Sequence, residues 1–297
     1  MISNRFISII IPTYHDWDRL SLCIDALAKQ EYPKELFEVI IVNNDPNDPV
    51  PQEYSLPENF KIVHESAPGS YAARNRAISI ARGEIYGFTD SDCIPYPTWI
   101  KNAVQIFDTK SIDRIAGHIE LFYQDDADRS WVELYESVYS FNQKRAVNVL
   151  KGAVTANLFV KKELFEKVGV FDCEKKSGED IGWNRRANEY GYSLMYAENV
   201  IIRHPARSTF KAFKKKKLRV FGGIKKFRTD WLSIIKNFLY LPFLFYMTVI
   251  YNTFLLFKNE KRLTFIEKLK VTGVNTYLFF IYAVEFFRLM FGGERVR

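Results

Sequence analysis

The sequence predicts an α/β fold in which a mostly parallel central sheet is flanked by helices and followed by a C-terminal helical extension. Over the first half of the chain, β-branched runs alternate with segments of helical periodicity. Turn-forming residues follow these runs. Beyond residue 205, basic residues and long apolar stretches dominate. We therefore expect a sheet domain over residues 1–205, a basic amphipathic connector over 206–230 and an apolar helical region over 231–297.

The individual elements follow from the spacing of apolar residues. The run FISIII at residues 6–11 is continuous and β-branched, as in a strand buried on both faces. Leu20, Ile24 and Leu27 recur at helical spacing and predict a helix. The remaining predicted elements, in order, are strands at 37–42 and 61–64, a helix at 70–82, a strand at 84–89, a helix at 97–107, a strand at 114–121, a helix at 130–145, a strand at 154–160, helices at 162–168 and 179–190, and short strands at 194–197 and 200–203.

Composition narrows the class of protein. A chain of 297 residues with 47% hydrophobic residues can bury a sizeable core, and wholesale disorder is excluded. The net charge of +7 favours anionic partners such as nucleic acid, acidic lipid or phosphorylated substrates. Cys23, Cys93 and Cys173 are far apart, and their spacing suggests neither a zinc site nor a disulfide framework. Reduced thiols fit a cytosolic setting. The N-terminal apolar run is too short for a signal peptide.

Three polar turns follow predicted parallel strands. In open α/β sheets, ligands bind at the carboxyl ends of the strands, so we expect these turns to form one site. The turns are Pro12-Thr13-Tyr14, Asn43-Asn44-Asp45 and Asp90-Ser91-Asp92.

Asp90 and Asp92 are the strongest chemical signal. Two carboxylates one residue apart on a tight turn can hold one Mg²⁺ or Mn²⁺, which prefer oxygen ligands and bridge to substrate phosphates. The alternative is a solvated turn in which an Asp caps the next helix. The buried strand before the turn favours the metal site. His204, after the last strand, is a candidate third ligand or phosphate donor, or else a hydrogen-bonded structural histidine.

Glu179 and Asp180 begin a predicted helix, where negative charge is stabilised. A carboxylate there can accept a proton from an acceptor hydroxyl, although both acids could be ordinary helix-start residues. The segment from Pro68 to Asn75 runs from a glycine turn into a helix, so its amides and Arg74 could approach a diphosphate, or Arg74 could form a structural ion pair.

Two further residues are candidate acceptor contacts. Trp183 lies one helical turn after the acidic pair and could stack on an acceptor, although a lone aromatic residue on a helix is more often part of the core. Asn157 is the other candidate.

Together these segments resemble the family 2 glycosyltransferases, which have the GT-A fold. The resemblance covers roughly residues 5–205. The matching text is ISIIIPTYHDWDRLSLCIDAL, EVIIVNND, GSYAARNRAI, ARGEIYGFTDSDCIP, ANLFVKKELFEKVGVFD and GEDIGWNRRANEYGYSLMYAENVIIRH.

The resemblance implies an inverting single displacement, with Asp180 as the catalytic base and Glu179 as the neighbouring acid. It implies that Asp90 and Asp92 form the metal and nucleotide motif. By position, the remaining matches are Pro12, Thr13 and Tyr14 in the first nucleotide-contacting loop, and Arg74 and Asn75 in the motif after the third strand.

One departure concerns the nucleotide base. The family usually shows an Asp pair after the second strand, whereas this chain has Asn43 and Asn44 followed by Asp45. Asn can donate and accept, so a base contact survives. UDP is favoured, and dTDP and GDP stay open.

The C-terminal third indicates membrane association. Residues 238–257 carry no charge and have about the length of a membrane span. Residues 271–291 are interrupted by Glu285 and Arg288, which are costly at mid-membrane. The basic bridge at 258–270 opposes translocation, which favours in-plane or re-entrant helices over a spanning pair. Soluble packing is a third alternative. No acidic residue occurs from 199 to 229, so this basic run suits anionic lipid.

The functional expectation is a metal-dependent hexosyltransferase at the cytoplasmic face of the cell membrane. It would move a sugar from a nucleotide diphosphate donor to a lipid-linked or growing glycan acceptor, for cell-surface polysaccharide or glycolipid synthesis. The alternative is a non-catalytic nucleotide-sugar-binding or assembly subunit. Nucleic acid is disfavoured because the basic run adjoins apolar stretches instead of an aromatic-lined groove.

Overall fold

The computed structural model describes residues 4–51, 54–175, 177–224 and 242–293. The chain divides into two compact units. The first comprises Met1–Leu121, Phe141–Lys175 and Glu179–Pro205. The second comprises Phe122–Ser140, Lys176–Gly178 and Ala206–Arg297.

An eight-stranded mixed sheet forms the centre of the first unit, with strand order β3-β2-β1-β4-β7-β6-β8-β5. Strands β3, β2, β1 and β4 are parallel, whereas β7 is antiparallel to both β4 and β6, and β5 is antiparallel to β8. The strands are β1 (Ile7–Thr13), β2 (Phe37–Asn43), β3 (Phe60–His64), β4 (Ile85–Thr89), β5 (Ile94–Pro95), β6 (Arg114–Phe122), β7 (Asn157–Lys161) and β8 (Leu194–Pro205).

Helices cover both faces of this sheet, as the unbroken apolar runs predicted. Alternate residues of β1 point to opposite faces, so Ile9 and Ile11 join one apolar cluster with Leu20 and Trp99 while Ile10 joins another. The α/β fold class is confirmed. The helices of the chain's first part are α1 (Trp17–Ala28), α2 (Ser70–Ile78), α3 (Trp99–Thr109), α4 (Trp131–Tyr139), α5 (Gln143–Arg145), α6 (Glu163–Val168) and α7 (Glu179–Glu189).

Two predicted elements differ in the structure. The helix expected over 130–145 ends at Tyr139, because Ser140 is extended and Phe141 is left-handed with φ of 54°. The two short strands expected at 194–197 and 200–203 form the single strand β8. The polar residues in the middle of β8 stay in the strand because Asn102 Nδ2 donates a hydrogen bond of 2.6 Å to the Asn199 carbonyl.

The second unit is helical. Its apolar cluster joins α4 to the helices that follow the sheet domain, through residues such as Tyr135, Phe213 and Val274. Within the described residues, no helix combines the length and the apolar character that crossing a membrane requires. Residues 238–241 of the first predicted apolar stretch lie outside those residues. The helices are α8 (Phe210–Ile224), α9 (Asn252–Asn259), which continues a π-helical turn at Tyr246–Tyr251, and α10 (Phe265–Met290).

Candidate active site

Hydrogen bonds hold the acidic turn Asp90-Ser91-Asp92 after β4, both within the turn and from the start of α1. The Cys93 amide donates to the Asp90 carbonyl at 3.1 Å and closes the turn. Ser91 Oγ donates to Asp16 Oδ2 at 2.9 Å. Arg19 Nε donates to Asp16 Oδ1 at 2.7 Å, and Arg19 Nη1 lies 3.5 Å from Asp92 Oδ2. The start of α1 is thereby tied to the carboxylates that the sequence predicted as a metal motif.

His204 joins this turn from the end of β8. The ligand atoms of Asp90, Asp92, Cys93 and His204 all lie within 4.8 Å of one another. His204 is 3% exposed, and its Nδ1 lies 2.8 Å from the Pro205 carbonyl oxygen. A carbonyl only accepts, so Nδ1 carries a proton, and Nε2 is the ring atom that faces the acidic turn. Nε2 lies 3.6 Å from Asp92 Oδ1.

A proton on Nε2 would pair the His204 ring with Asp92, whereas an unprotonated Nε2 could bind a cation together with the carboxylates. Carboxylate oxygens with one imidazole nitrogen suit Mn²⁺ or Mg²⁺, and the backbone contact on Nδ1 is a usual second contact of a metal-bound histidine. Cys93 is a poor ligand. Burial first, then the charges of Asp90 and Asp92, raise the pKa of its thiol well above the ordinary value, and a thiol sulfur is softer than the oxygen ligands that these ions prefer. The residues therefore fit a divalent cation held by Asp90, Asp92 and His204.

Helix α2 connects the cluster of Asp90, Asp92 and His204 to the carboxylate of Asp180. Arg74 is 3% exposed, and its Nη2 donates to Asp90 Oδ1 at 2.6 Å. Its Nε has no hydrogen-bond partner within the described part of the chain. Tyr71 lies three residues earlier on the same helix face, with the Arg74 guanidinium 5.9 Å from its ring centre. The face that binds the acidic turn therefore also presents Tyr71.

The Tyr71 hydroxyl positions Asp180 at the start of α7. It accepts a hydrogen bond from the Glu179 amide at 3.0 Å and donates to Asp180 Oδ1 at 3.4 Å. The Ile181 amide also donates to Oδ1, at 2.9 Å. Both contacts fall on one oxygen, and among the described residues none donates a hydrogen bond to Oδ2. Oδ2 is thus the atom available to an incoming hydroxyl.

Asp180 shares an electrostatic environment with the acidic turn. Burial raises the pKa of its carboxyl above the ordinary value, and the charge of Asp90 adds to this effect. The Ile181 amide, the Arg74 charge and the Tyr71 hydroxyl act in the opposite direction and do not cancel it. Acidic groups about 90 residues apart in sequence are therefore brought together by α2.

Glu179 has a different environment from its neighbour. It is fully buried and binds Arg186 Nη2 at 2.7 Å and Lys175 Nζ at 2.6 Å. It also accepts from the Asp172 amide at 3.1 Å. Burial alone would raise the pKa of Glu179, but these bonds outweigh it and hold the pKa below its usual value. Both carboxylate oxygens are occupied, so Glu179 fixes the first turn of α7 and is not placed to touch a substrate.

The two predicted acceptor contacts are corrected by the structure. Trp183 has no exposed surface, donates to the Gly169 carbonyl at 2.6 Å and stacks on Phe165 at 4.6 Å. Asn157 is equally buried, and its amide binds Trp99 Nε1 and two backbone carbonyls. Neither side chain can reach an acceptor, so these two assignments were wrong. Both residues belong to the core of the first unit.

Replacing Trp183 by Ala should therefore lower the free energy of unfolding by about 3–5 kcal/mol, because a buried ring leaves a cavity. Urea unfolding followed by circular dichroism measures this. Tyr190→Ala is a matched control: Tyr190 follows the same helix and is 63% exposed, so its loss should change stability by about 0.5 kcal/mol or less. If Trp183→Ala had normal stability but a raised KM for the acceptor, Trp183 would be an acceptor-binding residue after all.

The asparagines after β2 shape the loops around the site. Asn43 Nδ2 donates to the Asp48 carbonyl at 2.7 Å. Asn44 Oδ1 accepts from the Gly69 amide at 2.7 Å, and its Nδ2 donates to the Glu65 and Ala67 carbonyls. These amides are already satisfied, so their predicted base contact would require rearranged loops. Asn75 is similarly committed, because its amide binds the Phe171 backbone.

The neighbouring surface presents groups that remain accessible. Asp45 Oδ2 lies 3.0 Å from His15 Nε2, and Tyr14 is 62% exposed with its ring 4.3 Å from that of His15. Thr13 is buried and Pro12 is half-buried. Tyr14 is thus the most exposed of the predicted nucleotide contacts, and Asp45 is half-buried.

Sequence reasoning missed four residues of the site: Asp16, Arg19, Tyr71 and Cys93. Tyr71 could have been found, because it lies at i, i+3 from Arg74 in a segment already recognised. The pairing of Asp16 with Ser91 spans 75 positions and leaves no local signal.

Comparison with known proteins identifies relatives of this chain. The family model "Glycosyl transferase family 2" matches residues 8–169, and "Glycosyl transferase family group 2" matches residues 90–290. Glycosyltransferase AglE of Haloferax volcanii is 34% identical over 78% of this chain and 78% of its own length. A Methanococcus voltae dolichyl N-acetyl-alpha-D-glucosaminyl phosphate 3-beta-D-2,3-diacetamido-2,3-dideoxy-beta-D-glucuronosyltransferase is 25% identical over 74% of this chain and 73% of its own.

Solved structures share the fold at low sequence identity. The mannosyltransferase PcManGT of Pyrobaculum calidifontis, in complex with GDP-Man and Mn²⁺, matches with a TM-score of 0.53 at 15% identity, covering 98% of this chain and 76% of that one. S. aureus TarS 1-349 in complex with UDP-GlcNAc matches with a TM-score of 0.53 at 17% identity, covering 97% and 92%. These likenesses show the GT-A fold. With a family model matching more than half of its length, this chain belongs to glycosyl transferase family 2.

Proposed function

We propose that the chain is an inverting, metal-dependent glycosyltransferase of the hexosyltransferase type. It moves a sugar from a nucleotide diphosphate donor, with UDP favoured, to a lipid-linked or growing glycan acceptor at the cytoplasmic face of a membrane. The observation that carries this proposal is the oxygen Asp180 Oδ2, which is left available on the same side of α2 as Asp90 and Arg74.

The chemistry follows from the roles of these groups. Asp180 Oδ2 accepts the proton of the acceptor hydroxyl, whose oxygen attacks the anomeric carbon from the face opposite the diphosphate. The bond from that carbon to the diphosphate oxygen breaks, and the configuration inverts. Arg74 places positive charge beside Asp90, where a diphosphate would bind. Asp90, Asp92 and His204 would hold the divalent cation, which offsets the charge of the leaving diphosphate when bound.

The relatives support the substrate class. The name of the Methanococcus voltae enzyme describes a dolichyl phosphate-linked sugar as its acceptor. Two structural relatives are described with UDP-GlcNAc and with GDP-Man, so both bases are represented among neighbours of this fold.

A nucleotide-sugar screen tests the proposal. The full chain is titrated with UDP-, dTDP- and GDP-sugars in the presence of Mn²⁺ or Mg²⁺, and nucleotide release is then measured with lipid-phosphate-linked sugars as acceptors. Binding of one donor followed by acceptor-dependent release of nucleotide is expected. Binding without release under any acceptor would favour a non-catalytic nucleotide-sugar-binding subunit.

Tyr71→Phe should shift the acid limb of the pH–rate profile upward. Transfer needs the ionised form of Asp180, so activity falls as the pH drops through its raised pKa. The Tyr71 hydroxyl lowers that pKa, so removing it raises the pKa further and lowers kcat/KM at mildly acidic pH by about fivefold, as for one hydrogen bond of about 1 kcal/mol. The measurement is kcat/KM against pH at saturating metal.

Tyr86→Phe serves as the control for this variant. Tyr86 is also a buried tyrosine, but its hydroxyl points to the Ala81 carbonyl and not to the site. Its profile should match that of the unaltered chain. A Tyr71→Phe variant with lower stability but an unmoved acid limb would reduce Tyr71 to a packing residue.

A further inference from the structure

An exposed apolar corner lies where α9 ends and α10 begins. Its side chains are Phe254 and Phe257 on α9 and Phe265, Ile266 and Leu269 on α10, all of them exposed. Phe265 and Ile266 are 67% and 66% exposed, and Leu269 is 51% exposed. Their spacing of three and four residues places them on one side of the helix. A contiguous exposed patch of this kind marks an interaction surface.

The apolar corner is held rigidly by its neighbours. Leu256 and Leu263 are buried in the apolar cluster of the second unit and anchor the two helix ends. A capping box fixes the start of α10, where the Thr264 amide donates to Glu267 Oε2 at 2.7 Å. The Phe257 and Phe265 rings meet edge to face at 5.8 Å. The exposure of the corner is therefore part of its folded geometry.

Lysines surround the apolar corner. Lys258 Nζ lies 5.6 Å from the centre of the Phe254 ring, and Lys268 Nζ lies 5.6 Å from that of Phe257. Lys261 is exposed in the loop between the helices. The two nearby acids have other cationic partners: Glu260 binds Arg262 at 2.7 Å, and Glu267 binds Arg129 at 3.2 Å. The corner consequently carries a net positive rim.

The positive charge of the chain is likewise concentrated in its C-terminal part. Residues 1–205 contain 23 Lys and Arg against 30 Asp and Glu, a net charge of −7. Residues 206–297 contain 19 against 5, a net charge of +14. An anionic surface therefore attracts the C-terminal part and not the sheet domain. An anionic bilayer offers both an apolar interior for the corner and phosphate groups for its rim.

We propose that the apolar corner inserts into an anionic lipid bilayer, with Phe265, Ile266 and Leu269 below the headgroups and Lys258, Lys261 and Lys268 at the level of the phosphates. This deepens the peripheral attachment in the proposed function by naming the surface that makes it. The proposal does not depend on the chemistry at Asp180.

Vesicle flotation tests the insertion with the full chain. Binding to vesicles of phosphatidylglycerol and phosphatidylcholine should exceed binding to phosphatidylcholine alone. The double variant Ile266→Ser, Leu269→Ser should lower the binding constant by about tenfold or more, because it removes exposed apolar surface from the contact. Leu22→Ser is the matched control, since Leu22 is 52% exposed on α1 in the other unit and should leave binding unchanged.

Charge and depth provide separate readouts. Lys258→Glu, Lys261→Glu and Lys268→Glu should each weaken binding by at least about fivefold and make it less sensitive to salt. Brominated lipids should quench the tryptophan fluorescence of an Ile266→Trp variant more than that of the unaltered chain, which has five tryptophans of its own. Leu22→Trp should be quenched no more than the unaltered chain.

Several results would overturn the proposal. One is a double variant that binds vesicles like the unaltered chain. Another is that the apolar corner joins two copies of the chain. Analytical ultracentrifugation would then give the mass of a dimer for the unaltered chain and half that mass for the double variant, while vesicle binding persists. Nucleotide release from the donor without vesicles should be the same in the double variant. Absence of this release from both the unaltered chain and the double variant would count against the proposed function and not against insertion.

Discussion

Replacing Asp180 by Asn is expected to lower kcat for sugar transfer by about 10²–10⁴-fold while donor affinity stays within about twofold, as for loss of a general base. The amide oxygen of Asn can still accept from Tyr71 and Ile181, as Oδ1 does now. The amide nitrogen would occupy the place of Oδ2 and cannot accept a proton. Nucleotide release measures kcat, and calorimetric titration with the donor measures affinity.

Glu179→Gln is the informative neighbour of that variant. Glu179 holds Arg186 and Lys175 without facing the site, so its loss should lower the melting temperature. We expect kcat to fall far less than in Asp180→Asn when both are assayed well below their melting temperatures. A Glu179→Gln variant of normal stability but with no activity would exchange the roles of the two acids.

The parallel half of the sheet was predictable because buried runs such as residues 6–11 and 37–42 carry their own signal. The antiparallel half was not, since periodicity reveals a strand but not its direction. Strand β7 returns between β4 and β6, and only long-range pairing such as Phe88 with Leu158 fixes it. The same limit explains β8, whose middle is retained by tertiary contact in spite of its polar residues.

The candidate site shows the corresponding limit for side chains. Asp90, Asp92 and Asp180 could be proposed as site residues because turns after strands and helix starts are local features. Trp183 and Asn157 were wrong because burial depends on what the rest of the chain places over a residue. Tyr71 could have been noticed beside Arg74, but its role could not, because its partner Asp180 lies 109 positions away.

Removing the metal should abolish transfer, and Asp92→Ala should lower kcat by about 10³-fold even at high metal, as expected for a Lewis acid contributing several kcal/mol. His204→Ala should raise the Mn²⁺ concentration for half-maximal activity by about 10–100-fold, because one ligand of the proposed set is lost while both carboxylates remain. The measurement is nucleotide release against Mn²⁺ concentration, after chelation with EDTA and restoration.

Cys93→Ala separates a metal site from a mere cluster of polar groups. Its sulfur belongs to the same cluster as His204 Nε2, yet a thiol sulfur is a poorer ligand for Mn²⁺ or Mg²⁺ than a carboxylate oxygen. The metal dependence of this variant should therefore match that of the unaltered chain. If Cys93→Ala raised the Mn²⁺ concentration for half-maximal activity as much as His204→Ala does, the cation would lie deeper, against the thiol. Full activity in chelated buffer would leave Arg74 as the main cation facing the diphosphate, with Asp90 serving to orient it.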